Sequence, residues 1–447
     1  MSRPLSPAER SVLVAVILAV ALVLRVGFVL ETHVANPIRA DAAHYVQYAS
    51  NLHERGVFGL GAGDDVRPDS FRSPGYPVFL WLHRAVFGAD RLYVSARLSQ
   101  AVLDTLTVLF AFWLARRVLP FAGALVAAAL TALSPHLVAN TGYLLTETQT
   151  TATLTAALVG LAGFGGGRSG VARALATGAA FSLAVLTNEA LAPVPWLLAA
   201  LVYLRADKPR CPALRTQCLA MLAVCAVAQG GWALRNAVSV AGDAPRGASR
   251  ALQTISHGTY PDFVYRDPRF RYMPYRDDPE QPRYGEDPGH FWRVFTSRVA
   301  ERPWRYASWY LLEKPVHLWG FDGLQADREI YTYPASQTLY DKHAAAGMTL
   351  SLMRLLHWPL VLLGVLGAAS ALRWRRDRVR TPTTLLAFVV CIGWMTVVGV
   401  VFAPWPRYVM PLRPALFVLA TVASWRLVAA LARRRPAAAE VGAAAVR

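Results

Sequence analysis

Ten apolar runs dominate this chain, at about residues 11–30, 96–115, 121–141, 144–164, 171–187, 190–204, 217–234, 349–371, 383–403 and 407–430. A run of about 20 apolar residues can cross the ~30 Å hydrocarbon core of a bilayer as a helix. No water reaches the backbone there, so each run must satisfy its own N–H and C=O groups. The expected fold class is an all-α integral membrane protein with about ten transmembrane helices, outer-face loops and interfacial helices. Composition agrees: 55% of residues are hydrophobic and 17% charged, against about 25% charged in soluble domains. A shorter run at 76–87 reads as lying along the interface or re-entering the bilayer.

The first run follows Arg3 and Arg10 and carries Arg25 near its far end. It is long for a cleaved signal, so an uncleaved first span is expected, with Arg25 reaching to the outer headgroups. The net charge is +18. Nearly all of it is arginine, since Lys208, Lys314 and Lys342 are the only lysines. The clusters at 115–117, 205–210, 373–380 and 432–436 each end an apolar run, the pattern of basic residues retained on the cytoplasmic side. With the N-terminus inside, residues 31–95 and 235–348 then lie outside. This topology divides the chain into an N-terminal transmembrane module (1–234), a large external loop with interfacial helices (235–348), C-terminal transmembrane helices (349–431) and a cytoplasmic tail (432–447). No nucleic-acid-binding motif accompanies the charge, so nucleic acid is not an expected partner and the lipid bilayer is.

The cysteines are Cys211, Cys218, Cys225 and Cys391. Their spacing forms neither a disulfide framework nor a metal site, and small buried residues are expected. No Gly-x-Gly-x-x-Gly follows a strand, and there is no Walker motif, no His-Glu-x-x-His or Cys-x-x-Cys pair and no nucleophile elbow.

The polar residues that stand out gather at predicted outer span ends. Asp41 opens "DAAHYVQYASNL", and Asp41, Tyr45, Tyr48 and Leu52 share one helical face. Asp41 is either an N-cap or a proton acceptor able to activate a hydroxyl. "FRSPGYPVFLWLH" at 71–83 offers Arg72 as an anion ligand at headgroup depth. Glu147, in "LLTETQTT", enters a predicted span edge as a functional carboxylate or the partner of an arginine. Asp104, with Arg97 and Gln100 on the same helix, reads as an interhelical contact. Arg235 and Asn236 in "WALRN", and Arg407 and Tyr408 in "PRYVMPLRP", end further spans.

Taken in order, "YASNLHERGVFG", "FRSPGYPVFLWL", "SPHLVANTGYLLTE", "WALRN" and "PRYVMPLRP" resemble the GT-C fold glycosyltransferases. The resemblance is to bacterial relatives of the dolichyl-phosphate-mannose protein mannosyltransferases and of the aminoarabinose lipid A transferases. It implies a GT-C-like bundle and transfer of a sugar from a polyprenyl-phosphate donor to a glycan, lipid or protein acceptor. The location it implies is the outer face of the cytoplasmic (inner) membrane. By the same resemblance Asp41 is the general base and Arg72 holds the carrier phosphate. Tyr76, Glu147, Arg235, Asn236, Arg407 and Tyr408 line the substrate site. Two positions depart from the pattern: Ser73 stands where proline is usual, and Asn188-Glu189 where a basic residue is common. The chemistry needs a proton acceptor and phosphate-binding cations, since the carrier phosphate is already a good leaving group. No cofactor is implied, and a divalent metal is not required, with Asp64, Asp65 and Asp69 as weak candidates for one. The rival is a multi-span transporter or flippase of a lipid-linked or anionic solute. Such a protein is expected to carry ionisable sites in mid-span and two related halves.

Overall fold

The computed structural model describes residues 5–165, 170–205, 212–242, 244–261, 263, 274–285, 287–322, 330–373 and 383–434. Its helices, in chain order, are α1 (Pro7–Glu31), α2 (Ala40–Arg55), α3 (Gly75–Phe87), α4 (Leu92–Arg116), α5 (Phe121–Ala132), α6 (Pro135–Asn140), α7 (Glu147–Leu161), α8 (Gly170–Thr187) and α9 (Val194–Arg205). There follow α10 (Pro212–Ser239), α11 (Gly247–Gly258), α12 (Pro288–Glu301), α13 (Pro303–Ser308), α14 (Lys314–Leu318), α15 (Leu339–Lys342), α16 (Ala344–Arg373), α17 (Thr383–Val401) and α18 (Arg413–Arg434). The protein is thus an all-helical, multi-pass membrane protein.

Among the described residues, seven helical segments are long and apolar enough to cross a membrane: α1, α4, α8, α10, α16, α17 and the stretch 406–432. The other three expected spans are shorter helices. The run 121–141 breaks because Pro135 cannot continue α5, leaving a 12-residue helix and a 6-residue one. The run 190–204 helps form only the 12-residue α9, which follows Pro193. The run 144–164 begins in a turn and gives a helix of 15 residues. At 1.5 Å per residue, 12 residues reach only about 18 Å. The short run 76–87 is α3.

Four basic clusters underlay the expected topology. Most of those at 205–210 and 373–380, and the end of that at 432–436, lie outside the described residues, as do Cys211 and much of the 260–289 loop. Cys218, Cys225 and Cys391 are free and buried.

Close approach of the helices depends on glycine. A Cβ on Gly178 would stand 2.7 Å from the Met221 carbonyl oxygen, so α8 and α10 meet almost backbone to backbone. Gly367 does the same for α16 against the Leu419 backbone of α18, and Gly364 makes room for the Leu416 side chain. This is how small residues bring helices together where lipid gives no hydrophobic drive.

Arg25 does not reach the headgroups. It is fully buried, and its Nε donates to Asp104 Oδ2 at 2.6 Å, tying α1 to α4. The rest of its guanidinium donates to the carbonyls of Ala21, Thr131 and Ala132. The last two are carbonyls at the end of α5, where the break before Pro135 leaves Ala132 without an intrahelical donor, while Thr131 also accepts from the Ser134 N–H. Asp104 is therefore an interhelical contact as expected, with Arg25 as its partner.

Above the bundle, a two-stranded pairing joins the chain after α1 to a much later segment: β1 (His33–Val34) runs antiparallel to β2 (Ala335–Ser336). Lys342 Nζ donates to the Glu31 carbonyl at 2.6 Å, and His343 contacts the Glu31 carboxylate at 2.6 Å. Within the segment expected to hold interfacial helices, the stretch 291–321 breaks before Pro303 and contains a single wide turn at Trp309–Glu313.

Candidate active site

Asp41 is the second residue of α2, and it does not cap the helix. The capping position is Arg39, with no side-chain hydrogen bond. The preceding turn is sharp: Ala40 sits in the left-handed region (φ 47°), uncommon for a residue with a Cβ. The Tyr333 hydroxyl holds this turn. It donates to the Arg39 carbonyl at 3.0 Å and accepts from the Ala42 N–H at 3.4 Å.

So placed, the Asp41 carboxylate lies between two arginines. Arg72 Nη2 donates to Oδ1 at 2.5 Å and Arg407 Nη2 to Oδ2 at 2.5 Å. Burial alone would raise the Asp41 carboxyl. The charges of Arg407 and Arg72 outweigh it and hold the group below the ordinary carboxylate range. Glu147, at the first position of α7, lies 3.7 Å from Arg407 Nε. The four side chains balance in charge, and two polar atoms stay unfilled: Arg72 Nε has no acceptor and Glu147 Oε2 no donor.

Arg72 is buried, not exposed, with 9% of its surface accessible. Its Nη2 also meets His44 Nδ1 at 3.0 Å, and its guanidinium lies over the rings of Tyr45 and Phe71. Burial first, and then the Arg72 charge, push the His44 imidazole below its ordinary range, so it is neutral and accepts from Arg72.

The loop before Arg72 is built around Asp69. Its carboxylate accepts from the Leu60 and Phe71 N–H groups at 2.6 and 3.0 Å and from the Tyr48 hydroxyl. Asp69 therefore forms no cluster with Asp64 and Asp65, which lie in a surface turn. Among the described residues no three His, Cys, Asp or Glu side chains group as metal ligands. After Arg72 the chain turns into α3 at Gly75, which packs so close to α8 that a Cβ would stand 2.5 Å from Thr187 Oγ1. Ser73 Oγ donates to Glu189 Oε2 at 3.0 Å, and Glu189 also pairs with Arg250 of α11. The two positions that departed from the pattern thus answer each other, and an arginine of α11 stands beside them.

Asp41, Arg72, Glu147 and Arg407 come together, with Tyr408 beside the Arg407 guanidinium. Three expected site residues serve other ends. The Tyr76 hydroxyl is buried and donates to Gln100. Arg235 donates to the carbonyls of Asp69 and Phe58 and to Asn236 Oδ1. It braces the Asp69 loop, and Asn236 is held by it. His44, Tyr333, Glu189 and Arg250 take part without having been expected there. For His44, its place one turn after Asp41 was the available signal.

A family model described as dolichyl-phosphate-mannose-protein mannosyltransferase matches residues 71–230. That stretch includes Arg72 and Glu147 and leaves Asp41 and Arg407 outside. No curated protein sequence matches the chain. The oligosaccharyltransferase of Archaeoglobus fulgidus in its apo form aligns with a TM-score of 0.51 at 14% identity, over 93% of this chain and 50% of that one. The same enzyme tethered to an acceptor peptide containing the NVT sequon gives 0.52 at 13% identity, over 98% and 52%. ArnT from Cupriavidus metallidurans bound to undecaprenyl phosphate gives 0.46 at 16% identity, over 94% and 61%. The chain spans about half the length of the archaeal enzyme, and what it shares with it is the GT-C fold.

Proposed function

We propose that this protein is a membrane glycosyltransferase that moves a sugar from a polyprenyl-phosphate carrier to a glycan, lipid or protein acceptor. The reaction takes place at the outer face of the cytoplasmic membrane. The observation that carries this reading is the Asp41 carboxylate gripped by Arg72 and Arg407. The fold and the mannosyltransferase family match over 71–230 support it.

In the reading we propose, the paired carboxylate stands in for the donor phosphate. Two guanidiniums that each donate to one oxygen of the same carboxylate suit a phosphate equally well. Donor phosphate entering with Arg72 Nε as a first, unfilled donor draws both arginines off Asp41. The carboxylate, relieved of their charge, gains basicity and accepts the proton of the acceptor hydroxyl. The hydroxyl oxygen bonds to the sugar's anomeric carbon as the bond from that carbon to the carrier phosphate oxygen breaks. The arginines stabilise the charge that develops on the leaving phosphate. Glu147 holds Arg407 and offers an unfilled acceptor to a sugar hydroxyl.

The test is transfer of labelled sugar by the purified protein to an acceptor-containing membrane extract, supplied with either a polyprenyl-phosphate sugar or a nucleotide sugar. Turnover with the lipid donor alone is expected. Turnover with a nucleotide sugar in the absence of any lipid carrier overturns the proposal.

A further inference from the structure

A second arginine lies deeper in the bundle. Arg413 is the first residue of α18, six positions beyond Arg407, and only 3% of it is accessible. Its neighbours are Pro135 and His136 of α6, Phe321, Met353, His357 and Leu360 of α16, and Leu416 and Phe417. Together they line a cavity of about 10 Å³, with room for about one water-sized group. Among the described residues the Arg413 guanidinium has no ion pair, and its Nε–H donates to nothing. Arginine cannot shed its charge in a protein. An unpaired buried charge is strongly destabilising, and an anion seated on the guanidinium gives it the ion-pair partner it lacks.

The facing wall is equally specific. His136 is 1% accessible, and its Nε2 lies 2.5 Å from the Phe321 carbonyl, which fixes a proton on that nitrogen. Its Nδ1 is buried and without a partner. His357 Nε2 meets the Trp319 carbonyl at 2.8 Å, so its tautomer is fixed in the same way. Arg354, also on α16, lies over the Phe321 ring and 3.7 Å from Asp322. The cavity therefore holds an unfilled cationic donor on α18 and an unfilled imidazole nitrogen on α6. His357 is the other titratable group lining it, and Arg354, with Asp322 beside it, lies behind the Phe321 ring.

We infer that Arg413 and His136 form a buried site for a small anion that enters together with one proton. The anion sits on the guanidinium, and the proton bridges it to Nδ1 of His136. Either the anion arrives protonated or the imidazole takes the proton up. Both descriptions have the same stoichiometry, and binding tightens as pH falls. This site is distinct from the Asp41 cluster and does not rest on the function proposed above.

The test measures the thermal midpoint of the purified protein in detergent at constant ionic strength, with sodium gluconate replaced by chloride in one arm and by inorganic phosphate in another. The midpoint is expected to rise with chloride, phosphate or both. Apparent affinity should rise by up to about tenfold per unit fall in pH between pH 8 and 6. The response should persist in Arg72→Ala, which weakens the outer cluster, and disappear when Arg413→Met is added to that variant. In His136→Gln the anion response should survive without its pH dependence. Equilibrium dialysis of labelled phosphate and chloride against the wild type and Arg72→Ala gives the stoichiometry directly, should the double variant not fold. No anion response and no bound anion in the wild type overturn the inference. So does an undiminished response in a folded double variant.

Discussion

Arg407 and Asp41 stand 366 residues apart in the chain and 2.5 Å apart in space. Arg72 meets the other oxygen of the same carboxylate, so two guanidiniums share one negative charge. Removing that charge leaves two cations facing each other. In Asp41→Asn we expect transfer to fall on the order of a hundred- to ten-thousand-fold, the usual effect of losing a general base. Inorganic phosphate should protect this variant from thermal unfolding more than it protects the wild type, because the phosphate supplies the missing charge. Wild-type turnover in the folded variant would remove Asp41 from the chemistry.

Tyr333 touches neither a substrate nor Asp41, yet it holds the turn that aims Asp41. Tyr333→Phe loses both hydrogen bonds to that turn, each worth about 1 kcal/mol. We expect lower kcat with little change in the midpoint of chemical unfolding beyond that amount. An unchanged kcat would show that Ala40 keeps its left-handed geometry unaided.

The pH dependence of stability has a definite sign. The folded-state pKa of His44 lies below its ordinary value of 6.5. Between the two values the unfolded chain binds the extra proton, so stability falls as pH drops below 6.5. His44→Gln should flatten this part of the curve. Asp41 is depressed instead: its contribution is fully present above its ordinary value of 3.8 and is lost only as pH falls through its lower folded value. It should therefore leave stability between pH 5 and 9 unaffected. A denaturation series across pH 4–8 on both proteins checks the two statements together.

The Arg25–Asp104 pair is buried at both ends. Asp104→Leu strands a cation among helices and should destabilise by about 3–5 kcal/mol. The double variant Arg25→Met with Asp104→Leu should recover much of the loss. A double-mutant cycle with no coupling would mean that the carbonyls of Ala21, Thr131 and Ala132 satisfy Arg25 on their own.

Gly75→Ala places a methyl group against Thr187 and the Leu186 backbone. Overpacking of this kind costs about 1–3 kcal/mol. Because Gly75 follows Arg72 by three residues, we expect donor affinity to fall along with stability, while Gly230→Ala, where a Cβ meets nothing within 4 Å, should leave both unchanged.

Asp41, Arg72, Glu147 and Arg407 were legible in the sequence because a charge beside a long apolar run has few cheap explanations. Their mutual pairing was not legible, since it joins chain segments with no local pattern between them. Arg235 carried the same signal as Arg407, but only tertiary structure turns one toward Asp41 and the other toward the Asp69 loop. Arg25 illustrates the opposite difficulty. Near the end of an apolar run it reads as a headgroup anchor, and its real partners are Asp104 on another helix and carbonyls at its own turn and at the broken end of α5. Seven of the ten expected spans have spanning length. The shorter three contain or follow prolines, or begin in a turn, and an apolar count passes over such breaks.

The pairing of β1 with β2, and of Glu31 with Lys342 and His343, stitches the start of the chain to a segment made more than three hundred residues later. Synthesis runs from the N-terminus, so Asp41 and Arg72 enter the membrane long before Tyr333 and Arg407 exist. A nascent chain therefore has the carboxylate without its aim and without its second cation. Under the proposed function, activity waits on completion of the chain's own biogenesis, and two separately expressed halves split between α10 and α11 should regain it only when they find each other in the bilayer.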